Sequence, residues 1–121
     1  MAGLPFPAQH FTYVHQRLLI AGIPLAQWPF AIRELQRVTR FGGWVELVEM
    51  GMGFHHAGAA TRQFLAWFAA ISQTRGIDAS HAAQIGVFLR DAGFSHVTTK
   101  TDVIPVGRWG GRIGNLLAGP P

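Results

Sequence analysis

Cysteine is absent from the sequence, and acidic and basic residues together make up only 13% of it. The first absence excludes disulfides, thiolate nucleophiles and zinc–thiolate centres, and it favours a reducing, cytoplasmic setting. The second is unusual, because an ordinary globular domain carries about a quarter charged residues. Part of this surface is therefore expected to be covered by something else. Acidic residues are the scarcer kind, leaving a net charge of +4. The arginines at 17, 33, 37, 40, 62, 75, 90, 108 and 112 are dispersed along the chain, with Lys100 beside them. No basic run interleaved with aromatics forms, so polynucleotide binding is not expected. No charged amino-terminal region precedes an apolar run, as a secretory leader would need. The charge-free stretch over residues 18–32 is broken by Pro24 and Pro29 and is shorter than the roughly 20 apolar residues of a membrane span. What is present is hydrophobic, at 49% of 121 residues. That is enough for one domain with a core, expected to occupy residues 1–121.

The stretch over residues 28–50 organises the rest. Pro29 sits where a first-turn proline costs least. Ile32, Leu35 and Val38 recur on one helical face, and the reading leaves Arg33, Glu34, Gln36, Arg37 and Arg40 to water. Gly42 and Gly43 predict a helix stop with cations near its negative end. The run Trp44 to Met50 then predicts a buried strand covered by helices on both faces. Upstream, Pro5 and Pro7 predict an entry loop, and residues 11–16 a strand rich in aromatic and β-branched side chains. Downstream, the periodicity predicts a helix over 57–75 with Phe64, Trp67, Phe68 and Ile71 in the core and Gly76 as its stop. Asp78 or Ser80 is expected to cap a second helix that places Ile85, Phe88, Leu89 and Ala92 inward and ends at Gly93. Alternation from Val97 to Val103 predicts a half-exposed strand, and residues 113–118 the start of another helix. The order strand, helix, strand, helix, helix, strand is that of an α/β open sheet, at least partly parallel.

The residues themselves carry a likeness. LPFPAQHFTYVHQRLL, then WPFAIRELQRVTRFGGWVELVE, then DAGFSHV, PVG and WGG resemble the carboxyl-terminal half of class I S-adenosylmethionine-dependent methyltransferases. In that family LPFPD-x-x-FD-x-V approaches the fourth strand, and RELxRVxRPGGWxxLxE forms the next helix and the fifth strand. Thr12 stands in place of the family's aspartate, and Phe41 in place of the proline of its RPGG. The resemblance implies a partial Rossmann-like sheet lacking the family's first three strands and its last. The glycine-rich cofactor loop has no counterpart: GMGF at 51–54 follows the wrong strand and lacks a third glycine. By resemblance the cofactor is S-adenosylmethionine and the partner a small-molecule methyl acceptor. Gly3 and Leu4 fall where the family backbone meets the adenine. His15, Gln16 and Arg17 fall where the fourth strand ends near the methionine.

Methyl transfer requires the acceptor to be held in line with the sulfonium and, for some acceptors, a base. His15 and Glu49 are the candidates. The plainer alternatives are a strand-end histidine with a hydrogen-bond partner and a carboxylate paired with an arginine or water. His55 and His56 are adjacent, so their side chains would point apart on a strand, and no metal site is expected. A second function class follows from the missing strands. An unpaired sheet edge recruits partners, so an interaction module pairing with itself or with a complementing chain is the alternative to an enzyme.

Overall fold

The computed structural model describes residues 2–51 and 53–119; Met52 of the GMGF stretch lies outside the described residues. Strand β1 (Phe11–Arg17) and strand β2 (Thr39–Val48) pair in parallel, joined by helix α1 (Trp28–Val38). After β2 come α2 (Ala59–Gln73), a 3-10 segment Ala79–Gln84 that runs into α3 (Ile85–Asp91), and α4 (Gly111–Ala118). The described residues thus form a small α/β fold on a two-stranded open parallel sheet, a truncated Rossmann-like arrangement. None of the described helices is long and apolar enough to cross a membrane.

Helix α1 is the hub. Trp28, Ala31, Ile32, Leu35 and Val38 are all buried on one face, as the 3.6-residue period requires. Around them close Ile20, Ile23 and Ala79, with Val14, Val45 and Leu47 of the sheet and Phe88 and Leu89 of α3 packed alongside. The Trp28 indole N–H donates to the Ile23 carbonyl at 3.1 Å, which lets a large amphipathic ring lie fully inside.

The helix stops earlier than its glycines predict. Thr39 is already extended, and its hydroxyl donates to the Leu35 carbonyl at 2.6 Å, satisfying a group that a helix end leaves orphaned. Gly42 and Gly43 serve the sheet instead. Phe11 pairs with Thr39 but Tyr13 with Trp44, so residues 40–43 bulge out of the ladder. Gly42 has φ +80°, and a β-carbon on Gly43 would lie 2.8 Å from the Thr12 carbonyl oxygen. Glycine is needed at both positions for β2 to rejoin β1 after the bulge.

Three further expectations are corrected. Strand β2 is covered on one face only: Val45 and Leu47 pack inward, while Trp44 is 63% exposed. From the apolar stripe of α2, Phe68 packs against the core, but Phe64, Trp67 and Ile71 are exposed, and Ser72 is the buried residue of that helix. Residues 97–103 form no strand, and Val103 is exposed. Alternation supplies a face, but a ladder needs a neighbouring edge in reach. Local signals did place the helix punctuation. Gly76 and Gly93 have positive φ, and the Asp78 carboxylate accepts from the Ser80 backbone N–H and hydroxyl.

Candidate functional site

The predicted site residues fall in two groups. Gly3 and Leu4 lie in the entry segment ahead of β1, and His15, Gln16, Arg17 and Glu49 where β1 and β2 end. Ahead of β1, the entry segment is gripped by α1. Arg37 donates through Nε to Glu34 Oε2 at 2.6 Å, and its terminal nitrogens donate to the Phe6 carbonyl at 2.8 Å and the Leu4 carbonyl at 3.0 Å. Glu34 Oε1 in turn accepts the Leu4 backbone N–H at 2.8 Å. Gly3 lies directly against this carboxylate, where a β-carbon would collide with Glu34 Oε1. Arg37 holds the Glu34 carboxyl below its ordinary range, with the Leu4 amide adding to this effect against some desolvation. The Glu34 hydrogen bond holds Arg37 above its own ordinary value. Glu34 and Arg37, expected to face water, therefore fasten Gly3 and Leu4 to the helix. The LPFP and RELQR stretches are two halves of one contact.

At the other end of β1, His15 stands opposite Glu46 in the register. Its Nδ1 lies 2.7 Å from Glu46 Oε1, which also accepts the Tyr13 hydroxyl at 3.1 Å. The Tyr13 phenol is pushed above its ordinary value, by desolvation first and then by the Glu46 carboxylate. Sequence reading missed Tyr13 and Glu46. The available signal was parity, since Tyr13 and His15 share one face of β1, as Trp44 and Glu46 share one face of β2. The missing information was the register that brings these faces together.

Gln16 points to the opposite face, beside Val14 and next to Leu47. It is 8% exposed, and its Nε2 has no hydrogen-bond partner among the described residues. Arg17 closes the strand. Leu18 follows with φ +57°, a conformation a leucine adopts only when its surroundings hold it there. Those surroundings include Glu49, just past the end of β2, which accepts the Leu19 and Ile20 backbone N–H groups at 2.9 and 3.1 Å. Leu18 N–H also donates to the Val48 carbonyl at 2.9 Å. Glu49 thus ties the carboxyl ends of the two strands together through the backbone.

Leu4, His15, Gln16 and Arg17 share one groove of about 450 Å³, which runs along β1 between the entry segment and α1. Gly3 and Glu49 are not among its lining residues. A larger open depression of about 700 Å³ over α4 is lined by Arg112, Asn115 and Leu116 and contains none of the predicted site residues. Among the described residues no three histidine, aspartate or glutamate side chains are grouped to hold a metal ion.

With this geometry in place, comparison with known proteins gives one informative match. The chain is 29% identical over 120 residues to the N-methyltransferase sirN of Leptosphaeria maculans. The match takes in 93% of this chain but 42% of that protein, so the chain spans less than half of the relative's length. No protein-family model and no solved structure matches. The chain therefore bears a distant, partial resemblance to an N-methyltransferase.

Proposed function

We propose that this chain forms the carboxyl-side part of an S-adenosylmethionine-dependent methyltransferase domain that acts on a small-molecule nitrogen acceptor. The match to an N-methyltransferase across 93% of the chain carries this reading. The residues present fit one side of the cofactor. Leu4 and Leu19 offer apolar wall, and His15 and Arg17 put polar groups at the carboxyl end of β1, within the same groove. Ligands of open α/β sheets sit at such strand ends. The sequence has no glycine-rich loop for the other side.

When bound, S-adenosylmethionine supplies an electrophilic methyl group on a sulfonium. The chain's own contribution is then positioning and proton removal. With His15 Nδ1 engaged by Glu46, Nε2 is the nitrogen left to accept the proton that an amine must release. Glu46 fixes that tautomer and the ring orientation. Glu49 holds the turn through two backbone amides and shapes the groove end instead of reacting.

The test is a calorimetric titration of the folded chain with S-adenosylmethionine, alone and mixed with the part of the L. maculans protein outside the match, followed by thermal unfolding. Binding to the folded state alone adds about 2.7 kcal/mol of stability at a hundredfold excess over Kd. Saturable heat with a matching rise in unfolding temperature is the expected result. No heat and no shift in either sample would overturn the proposal.

A further inference from the structure

Helix α4 turns its apolar side to water. Ile113, Leu116 and Leu117 recur at a spacing that puts them on one helical face, yet all three are exposed, Leu116 to 72%. The buried residue of α4 is Gly114. A β-carbon there would collide with the Gly107 carbonyl oxygen, and the Gly107 N–H donates to the Gly114 carbonyl at 3.0 Å. The helix therefore docks on the preceding turn by its glycine side, which leaves the larger side chains outside. Trp109, in the 3-10 turn Arg108–Gly110 that leads into α4, is 80% exposed. The charge around this face has one sign. No acidic residue stands among residues 103–119, whose charged side chains are Arg108 and Arg112, and neither arginine makes an ion pair among the described residues. The open depression over α4, about 700 Å³, is lined by Arg112 and Asn115 together with Leu116, so cation, amide and apolar surface meet there.

We infer that α4 and the turn before it form a docking surface for an anionic lipid bilayer. On it Trp109, Ile113, Leu116 and Leu117 enter the boundary between headgroups and acyl chains, while Arg108 and Arg112 bind the anionic headgroups. Helices of this make-up lie in the membrane plane, held by buried apolar area and by the attraction of their cations to anionic lipid. Tryptophan favours the same depth, because its ring is apolar and its N–H polar. Two other occupants fit less well. A protein groove that reads a helix takes anchors at i, i+3, i+4 and i+7, and α4 ends at Ala118, before the fourth anchor counted from Ile113. A second copy joined by a two-fold axis would set this patch against itself, bringing the arginines of both copies together with no acidic residue to pair them. Two turns of helix give reversible attachment, since none of the described helices is long and apolar enough to cross the bilayer. The inference does not depend on the methyl-transfer reading.

The experiment sediments the full chain, without S-adenosylmethionine, with vesicles of phosphatidylcholine alone and of phosphatidylcholine and phosphatidylserine in equal parts, at low and high salt. Preferential binding to the mixed vesicles, weakening as salt rises, is the expected result. Arg108→Gln and Arg112→Gln together should weaken it roughly thirtyfold, and Leu116→Ser roughly tenfold. All three positions are exposed, so the unfolding temperature should not move. Brominated acyl chains quench a tryptophan that touches them, and this quenching should be lost in Trp109→Phe and kept in Trp67→Phe. If Leu116→Ser does not fold, the arginine pair and the tryptophan variants decide. The inference is overturned by the absence of sedimentation with either vesicle, by equal binding to both, by undiminished binding of either folded variant, or by quenching that survives in Trp109→Phe. Self-association of the chain in place of vesicle binding also overturns it and gives the face to a second copy. Because cofactor is omitted, neither result bears on the methyl-transfer titration.

Discussion

Replacing Trp28 and Trp67 by phenylalanine, one at a time, makes the same chemical change in opposite environments. Trp28 is 1% exposed, stacks near Phe88 at 6.1 Å between ring centroids, and donates its indole N–H to the Ile23 carbonyl. Trp28→Phe leaves that carbonyl without its donor, at about 1–3 kcal/mol. It also removes the outer part of the ring, leaving a small cavity worth roughly 1 kcal/mol. The sum, about 2–4 kcal/mol, is a large share of the roughly 5–15 kcal/mol that holds a domain folded. At about 3–5 °C per kcal/mol for a chain of this size, the midpoint should fall by roughly 6–20 °C. Trp67 is 62% exposed on α2, and Trp67→Phe should stay within about 0.5 kcal/mol of the parent. Urea unfolding followed by far-ultraviolet circular dichroism measures both variants, and the two slopes must agree for the comparison to stand. Equal losses from the two variants, or a neutral Trp28→Phe, would refute the placement of the core around α1.

Two more outcomes follow from the polar contacts. Arg37 holds Glu34, and Ser80 with His81 holds Asp78, below the ordinary carboxyl values. The unfolded chain therefore binds more protons in acid, so this stability is present above the ordinary carboxylate range and is lost as the pH falls below about 4. Unfolding temperatures between pH 7 and pH 3 should drop at the acid end. Arg37→Met should shallow that drop and speed proteolysis of residues 3–10, while an unchanged acid profile in the variant would remove Glu34 from the account. Glu49→Ala strips two backbone amides of their acceptor and should cost about 1–3 kcal/mol. A neutral result in chemical denaturation would mean that Glu49 does not hold the strand ends together.

The site was legible in the sequence to unequal depth. Leu4, His15, Gln16 and Arg17 were named from resemblance, and one groove contains all four. The side chains that contact them are not legible from local sequence. Glu46 reaches His15 only through the cross-strand register, and Glu34 and Arg37 reach Gly3 and Leu4 across some thirty residues of chain. Nothing local to Gln16 says that its amide nitrogen is buried without a partner among the described residues. That follows from α1 lying over one face of β1 while the outer edge stays open.

The sequence by itself determined the order of the first elements, the buried face of α1, the positive-φ stops at Gly76 and Gly93 and the cap at Asp78. Each depends on dihedral preferences or on a periodicity contained within a few consecutive residues. The tertiary structure decided that Gly42 and Gly43 serve a bulge, that Trp67 stays outside the core, and that residues 97–103 remain unpaired. Those outcomes depend on which surface stands opposite. Burial and strand pairing are properties of two segments at once, and the second segment is not specified by the periodicity of the first.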